Sequence, residues 1–266
     1  MTQRARFALL GLVAGLLVGC GGTSDLDRVR GYFEDVDAVY RSADPQFRAA
    51  DDTFRKFAGG GLKGKVAEFE LRRAELDIEQ VRQQVAALVP PVQAGRLHEL
   101  VIRAYELNVL MAAETRQLAA FVPRADSIVK RVDKARRKLR KELGAAGGLE
   151  RQSRALRTYA RRVTRLRSEL AALQAPPALA AARRTQLDVM SSTRKLTLQL
   201  VRAIGRQDKP TIERLLNRFA SAGDPNPDRA RWQKGGIAAY RQRIVDIDRA
   251  AADVTAERAR VIQAVG

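Results

Sequence analysis

Metal binding and covalent catalysis need clusters of titratable side chains, and this sequence offers few of them. His98 is the only histidine and Cys20 the only cysteine, so a zinc site built from His and Cys ligands cannot be assembled. The carboxylates within residues 68–79 scatter round a helix among arginines, which predicts an ion-paired surface. Ser191 has no histidine near it in sequence to act as its base. The sequence therefore predicts a protein that is not an enzyme and binds no metal.

Positive charge is the strongest chemical feature of the chain. Residues 124–167 contain sixteen Lys or Arg and four Asp or Glu, whereas residues 25–80 contain ten bases and thirteen acids. A planar guanidinium binds phosphate through two donors, and a dense positive field attracts polyanions. We expect twelve side chains on two successive helices to form a polyanion-binding surface: Lys130, Arg131, Lys134, Arg137, Lys138, Lys141, Arg151, Arg154, Arg157, Arg161, Arg162 and Arg165.

A motif with a distinct chemistry lies near the N-terminus. Arg4 and Arg6 precede an apolar run over residues 7–18, and Leu17-Val18-Gly19-Cys20 closes it. A basic start before a short apolar run is typical of a secretory signal, and the run is too short to cross a bilayer comfortably as a helix. The four closing residues resemble the lipobox of bacterial lipoproteins. The resemblance covers residues 1–20, and the remaining residues resemble no known family.

The resemblance implies a covalent lipid anchor. A signal peptide of residues 1–19 is cleaved in that family, the thiol of Cys20 receives a diacylglycerol, and the new amino terminus receives an acyl group; no other cofactor is expected. Two or three chains, at about 0.8 kcal/mol per buried methylene, hold a protein durably. We therefore expect residues 20–24 to tether the protein to the outer face of the cell membrane, or to the outer membrane if the bacterium has one.

The rest of the sequence is typical of a helical protein. Ala, Leu, Arg, Glu and Gln dominate, aromatic residues make up 5%, and apolar residues recur every three or four positions. We expect residues 25–266 to form an elongated antiparallel bundle of long helices. Corresponding prolines of the two halves lie 86 residues apart (Pro91 and Pro177) and 87 residues apart (Pro123 and Pro210). This similar offset indicates a duplicated helical unit, 62–148 and 149–223, followed by a long helix over 227–264.

Three local expectations depend on proline and on apolar spacing. Proline favours helix starts, so we predict that one helix begins at Asp44-Pro45 and that another ends near Pro123. A helix over residues 62–89 is expected to bury one apolar stripe: Val66, Phe69, Ala74, Ile78, Val81, Val85 and Leu88.

Two functions fit these features. In the first, a lipid-anchored helical protein binds anionic envelope material, either lipid headgroups or cell-wall polymer, through the basic surface. In the second, a structural lipoprotein docks another envelope protein, and the positive charge is only a solvated surface. Few aromatic residues interleave with the basic ones, which argues against a stacking platform for nucleic acid, and an extracytoplasmic location argues the same way.

Overall fold

The computed structural model of the protein describes residues 24–145, 147–221 and 227–266, with side chains except at positions 220, 221 and 227–234. These residues form helices and turns without any strand, so the predicted all-α class is confirmed. The seven helices are α1 (Asp25–Ala58), α2 (Gly64–Ala86), α3 (Gly95–Ala145), α4 (Leu149–Ala172), α5 (Ala180–Gly205), α6 (Lys209–Ser221) and α7 (Pro227–Val265). Single 3₁₀ turns precede α3 and α5, at Val92–Ala94 and Pro177–Leu179.

The contacts divide the chain into two compact units. Unit 1 holds the described residues up to Ala119 together with Ala238–Gly266, and unit 2 holds Ala120–Ile237. Helices α3 and α7 therefore contribute residues to both units. The duplication of residues 62–148 and 149–223 stays a prediction.

Two contacts fix the direction of α7 against α1 in unit 1. The hydroxyl of Tyr240 donates to Asp51 at 2.8 Å, and Arg258 donates to both carboxylate oxygens of Asp37 at 2.7 and 2.8 Å. From the first contact to the second, the residue number increases along α7, from 240 to 258, and decreases along α1, from 51 to 37. The two helices are therefore antiparallel.

Two further contacts fix the direction of α3. The Tyr32 hydroxyl lies 2.9 Å from Nδ1 of His98, and the rings of Phe47 and Tyr105 have centroids 5.9 Å apart. From the first contact to the second, the residue numbers increase along both helices, so the first part of α3 runs parallel to α1. Since a turn of five residues returns α2 along α1, unit 1 is a four-helix bundle with alternating directions, as short connections favour.

The first turn of α1 begins with a capping box. The Ser24 hydroxyl accepts the backbone N–H of Asp27 at 3.1 Å, and the Asp27 carboxylate accepts the backbone N–H of Ser24 at 3.2 Å. These bonds satisfy donors that a helix start leaves free. The Ser24 hydroxyl also donates to the Asp27 carboxylate at 2.8 Å, and this bond, followed by the one from the Ser24 N–H, holds the pKa of Asp27 below its ordinary value. The helix therefore starts directly after the expected tether.

The predictions at two prolines are wrong. α1 continues through Pro45 and α3 continues through Pro123. Proline inside a helix removes one backbone hydrogen bond and costs about 3 kcal/mol. The flanking residues explain its tolerance, because Ala43 and Phe47 are buried beside the first proline and Phe121 beside the second. Packing of these side chains outweighs the missing bond.

The prediction for the buried stripe of α2 is also partly wrong. Val66 and Phe69 are exposed, with 66% of Phe69 accessible. Four of the predicted positions, Ala74, Ile78, Val81 and Val85, are buried as expected, and in the first turns of the helix Ala67 and Leu71 are buried in place of Val66 and Phe69. α2 carries apolar residues on two faces, and contact with its neighbours decides which face is buried.

Unit 2 packs α3, α4, α5 and α6 around a second core. The guanidinium of Arg167 donates to the Ser191 hydroxyl at 2.7 Å, and Arg183 donates to the Leu173 carbonyl at 2.7 Å, so α4 and α5 are antiparallel. The core contains leucines such as Leu156, Leu170, Leu179 and Leu200, each almost completely buried. This packing leaves the opposite side of α4 in solvent.

Candidate polyanion-binding surface

All twelve basic side chains predicted for the polyanion-binding surface are exposed, and all lie in unit 2. Six belong to α3 and six to α4. We call this set the basic surface. The sequence could identify these positions because local apolar periodicity already assigned the opposite faces of both helices to the core.

On α3, four cations form a single row. Lys130, Lys134, Arg137 and Lys141 follow one another at intervals of four, three and four residues, which places them on one face of a helix. Lys138 lies beside this row. A row of this kind presents its charge along the helix rather than at one point.

On α4, the arginines lie opposite a continuous apolar face. The buried residues of this helix are Leu156, Tyr159, Ala160, Val163, Leu166 and Leu170. The helix contains seven arginines against two glutamates. Because an exposed arginine at every three or four positions leaves the core face untouched, the helix can present a positive face without disturbing its packing.

Glu169 joins the basic faces of the two helices. Its carboxylate binds Arg131 of α3 and, at 3.3 Å, Arg165 of α4. One acidic group thus sits between two cations of different helices. The contact brings the row of α3 and the arginine face of α4 together at this point.

Ion pairs divide the basic surface into two classes. Five of the twelve cations contact a carboxylate: Lys130 with Asp126, Arg131 and Arg165 with Glu169, Lys138 with Glu142, and Arg154 with Glu150. Within the described residues, the other seven make no ion pair: Lys134, Arg137, Lys141, Arg151, Arg157, Arg161 and Arg162. Apart from one hydrogen bond that Arg161 donates to the Thr158 hydroxyl at 3.4 Å, these seven keep their donors available for an external anion.

A second cluster of charged and polar groups lies in unit 1, and the sequence did not reveal it. The guanidinium of Arg258 binds Asp37 through two nitrogens and lies over the Phe33 ring at 4.5 Å from its centroid. The pair lines a cavity of about 40 Å³ between α1, α3 and α7, together with Tyr105. Asp37 and Arg258 are 221 residues apart, so no local pattern could connect them.

Two polar atoms in this cluster are buried without a hydrogen-bond partner, the Tyr105 hydroxyl and Nε of Arg258. Burial raises the pKa of Tyr105, so its hydroxyl stays protonated at neutral pH. A cavity of this volume has room for about three water molecules, at 10–15 Å³ for each. The cluster can therefore bind water, and its chemistry is that of a structural ion pair.

Cys20 lies outside the described residues. His98 contacts Tyr32, as described above. Three carboxylates of α2 lie beside arginines: Glu75 by Arg116 at 2.5 Å, Glu79 by Arg82 at 2.7 Å and Asp77 by Arg73 at 3.9 Å.

The described part of the chain contains no candidate metal site and no candidate membrane span. No group of three His, Cys, Asp or Glu side chains there is arranged to hold a metal ion. None of the helices in that part combines the length and apolar character needed to cross a bilayer. Comparison of the chain with known protein families, with curated proteins and with solved structures finds no match.

Proposed function

We propose that the protein is a non-enzymatic, extracytoplasmic lipoprotein, anchored through Cys20, whose basic surface binds anionic envelope material. The material is lipid headgroup or cell-wall polymer, both of which carry phosphate or carboxylate groups. The motif Leu17-Val18-Gly19-Cys20 supports the anchor. The seven exposed cations without an ion pair support the binding function, and they are the observation on which it depends.

The proposed mechanism is electrostatic. Each basic side chain near an anionic lipid surface contributes about 1 kcal/mol. At physiological salt the Debye length is about 8 Å, so added salt weakens such contacts between exposed charges. Arginine adds a geometric match to phosphate because its planar donors bind two oxygens at once. Binding should therefore be strong at low salt and fall steeply as salt is added.

The direct test is co-sedimentation of the protein with anionic vesicles, neutral vesicles and isolated cell wall across a salt series. The test variant replaces Arg151, Arg154, Arg157 and Arg161 by Gln. Loss of four contacts of about 1 kcal/mol each predicts a fall in affinity of at least about a hundredfold at low salt.

A matched control variant removes the same charge from unit 1. It replaces four exposed cations, Arg41, Arg48, Lys65 and Arg72, by Gln. We expect nearly unchanged binding, because these residues lie outside the basic surface. Equal losses of affinity in both variants would mean that binding depends on net charge alone and not on the basic surface. Absence of binding at low salt would reject the proposed function.

A second function has one specific observation in its favour. Phe69 and Leu76 of α2 are 66% and 63% exposed, and Val66 of the same helix is also exposed. A spacing of seven residues places Phe69 and Leu76 on one face. An exposed apolar face of this kind is typical of a protein-docking site, so a structural lipoprotein that binds another envelope protein is the alternative. Photo-crosslinking from position 69 in cells, at low and high salt, would detect a salt-insensitive complex.

A further inference from the structure

The connection between α2 and α3 exposes two valines almost completely. Val89 is 88% and Val92 96% accessible, and they flank Pro90 and Pro91. The backbone at this connection is nevertheless held against the bundle, because Ala94 is fully buried two residues later. We call residues 88–92 the valine turn. Its two apolar side chains protrude from a rigid support.

The valine turn lies at the end of unit 1 where α1 begins. Tyr32 contacts His98 and lies eight residues after Ser24. Eight residues correspond to about 12 Å along an α-helix. Val92 lies six residues before His98, which is about 10 Å along the helix axis when the 3₁₀ turn is included. Since α1 and α3 run parallel here, Val92 and Ser24 lie at nearly the same level of the bundle.

We propose that the valine turn inserts into the lipid bilayer that holds the acyl chains of Cys20. The inference rests on the lipid anchor of the proposed function. Residues 21–24 span at most about 14 Å when fully extended, so the start of α1 cannot move far from the headgroups. Whatever lies level with Ser24 on unit 1 stays within reach of the same membrane.

The chemistry of the valine turn suits an apolar interface. Proline has no backbone N–H, so two of the residues in this turn have no donor that would need a partner after water is removed. Val89 and Val92 supply apolar surface on either side. The bilayer boundary accepts such side chains at a depth of about 5–10 Å.

Charge at this end of the bundle is nearly balanced. Arg28 pairs with Asp25, Arg260 pairs with Glu257, and Arg96 lies 3.9 Å from the same glutamate. Insertion of the valine turn should therefore depend little on lipid charge or on salt. The basic surface of unit 2 should behave in the opposite way, which separates the two contacts experimentally.

The experiment places a fluorescent reporter in the turn. The chain has one tryptophan, Trp232, and Trp232→Phe provides a silent background. Full-length protein carrying Val92→Trp is isolated from cell membranes and reconstituted into vesicles of neutral lipid with brominated acyl chains. We expect a blue-shifted emission that loses about half of its intensity to bromine, because quenching requires the ring to reach the acyl boundary. Raising the salt concentration should leave the quenching unchanged.

Phe69→Trp in the same background is the matched control. Phe69 is also largely exposed, but it lies seventeen residues before the end of α2, about 25 Å along the helix. Emission at this position should remain unquenched. Equal quenching at positions 69 and 92 would overturn the proposal, because the protein would then contact the bilayer without using the valine turn.

A Cys20→Ser variant separates failure of the inference from failure of the proposed anchor. If loss of the thiol releases the protein from vesicles while Val92→Trp stays unquenched in the anchored protein, the inference is wrong and the anchor stands. If the protein remains on vesicles without the thiol, the anchor is wrong, and the inference falls with it.

Discussion

Arginines of α3 and α7 in unit 1 reach carboxylates on neighbouring helices, whereas most cations on α3 and α4 in unit 2 face solvent. In unit 1, Arg116 binds Glu75, Arg243 binds Glu114 and Arg258 binds Asp37. In the described part of unit 2, seven of the twelve cations of the basic surface make no ion pair. The same residue type therefore stabilises the fold in one unit and is available to an external partner in the other.

Burial of the cation explains what an arginine contributes in each place. The side chain of Arg258 is 13% accessible, and it stacks on Phe33 as well as pairing with Asp37. The side chain of Arg131 in unit 2 is 46% accessible. Exposed ion pairs contribute 0–1 kcal/mol in typical cases, whereas a buried charge left without its partner is costly. The number of arginines alone therefore says little, and their partners decide their role.

The largest expected effect comes from breaking the partly buried ion pair of Asp37 and Arg258 in unit 1. Asp37→Asn leaves the Arg258 cation without its counter-ion, and we expect the free energy of unfolding to fall by about 2 kcal/mol. Urea denaturation followed by circular dichroism measures it. Glu169→Gln in unit 2 is the matched control, since the two carboxylate side chains are 30% and 32% accessible. Glu169→Gln should lower the free energy of unfolding by less than about 1 kcal/mol. Equal losses of stability in the two variants would contradict the proposed difference between the arginines of the two units.

A buried polar group in unit 2 gives the next effect, with the opposite sign. The Gln186 side chain is fully buried, and neither its amide nitrogen nor its oxygen has a hydrogen-bond partner. Gln186→Met keeps the length of the side chain and removes both polar atoms. We expect stabilisation of about 1 kcal/mol, because an unpaired buried polar group costs about 1–3 kcal/mol. Destabilisation in the same urea assay would mean that ordered water satisfies the amide.

Local periodicity explains how much of this structure the sequence could predict. It identified the all-α class and the solvent face of α4, because one turn of helix determines which of Leu156, Arg157 and Tyr159 faces the core. It failed at Pro45 and Pro123, where packing of the flanking side chains into the core outweighs the loss of a hydrogen bond. Information about those contacts is not local.

Two further failures have the same origin. Phe69 and Leu71 both fit a helical stripe, and only the position of the neighbouring helices selects Leu71 for the core. The pair of Asp37 and Arg258 requires the whole length of unit 1 to be folded before its members meet. Sequence reasoning therefore found the surface that depends on one helix at a time and missed the cluster that depends on three.

A smaller effect tests whether repulsion between the arginines of the basic surface lowers the stability of the protein. Arg161 lies four residues after Arg157 and four before Arg165, and like charges at this spacing destabilise a helix by about 0.2–0.5 kcal/mol per pair. Arg161→Gln removes both repulsions and should raise the free energy of unfolding by about 0.5 kcal/mol while weakening polyanion binding. Arg161→Glu should raise it further, because both pairs then become attractive. A variant that binds better and unfolds more easily would contradict this reading of α4.

The smallest effect concerns pH and belongs to unit 1. Burial lowers the pKa of His98, while the nearby Glu99 acts in the opposite direction. In the neutral tautomer that carries its proton on Nε2, Nδ1 accepts the hydrogen bond of the Tyr32 hydroxyl at 2.9 Å. Burial raises the pKa of Tyr32 to about 12, so this hydroxyl remains a donor at neutral pH.

The unfolded chain takes up a proton on this histidine more readily than the folded chain does. Stability is therefore fully present above the unfolded pKa of about 6.5 and is lost as the pH falls towards the folded value. Urea denaturation at about pH 7.5 and about pH 5.5 measures the difference. His98→Asn should reduce this pH dependence, because asparagine can accept the same bond without titrating. Since the basic surface consists of Lys and Arg side chains far from His98 in sequence, the variant that lacks four arginines of α4 should show the same pH dependence as the unchanged protein. An unchanged slope in His98→Asn would place the pH-sensitive step elsewhere.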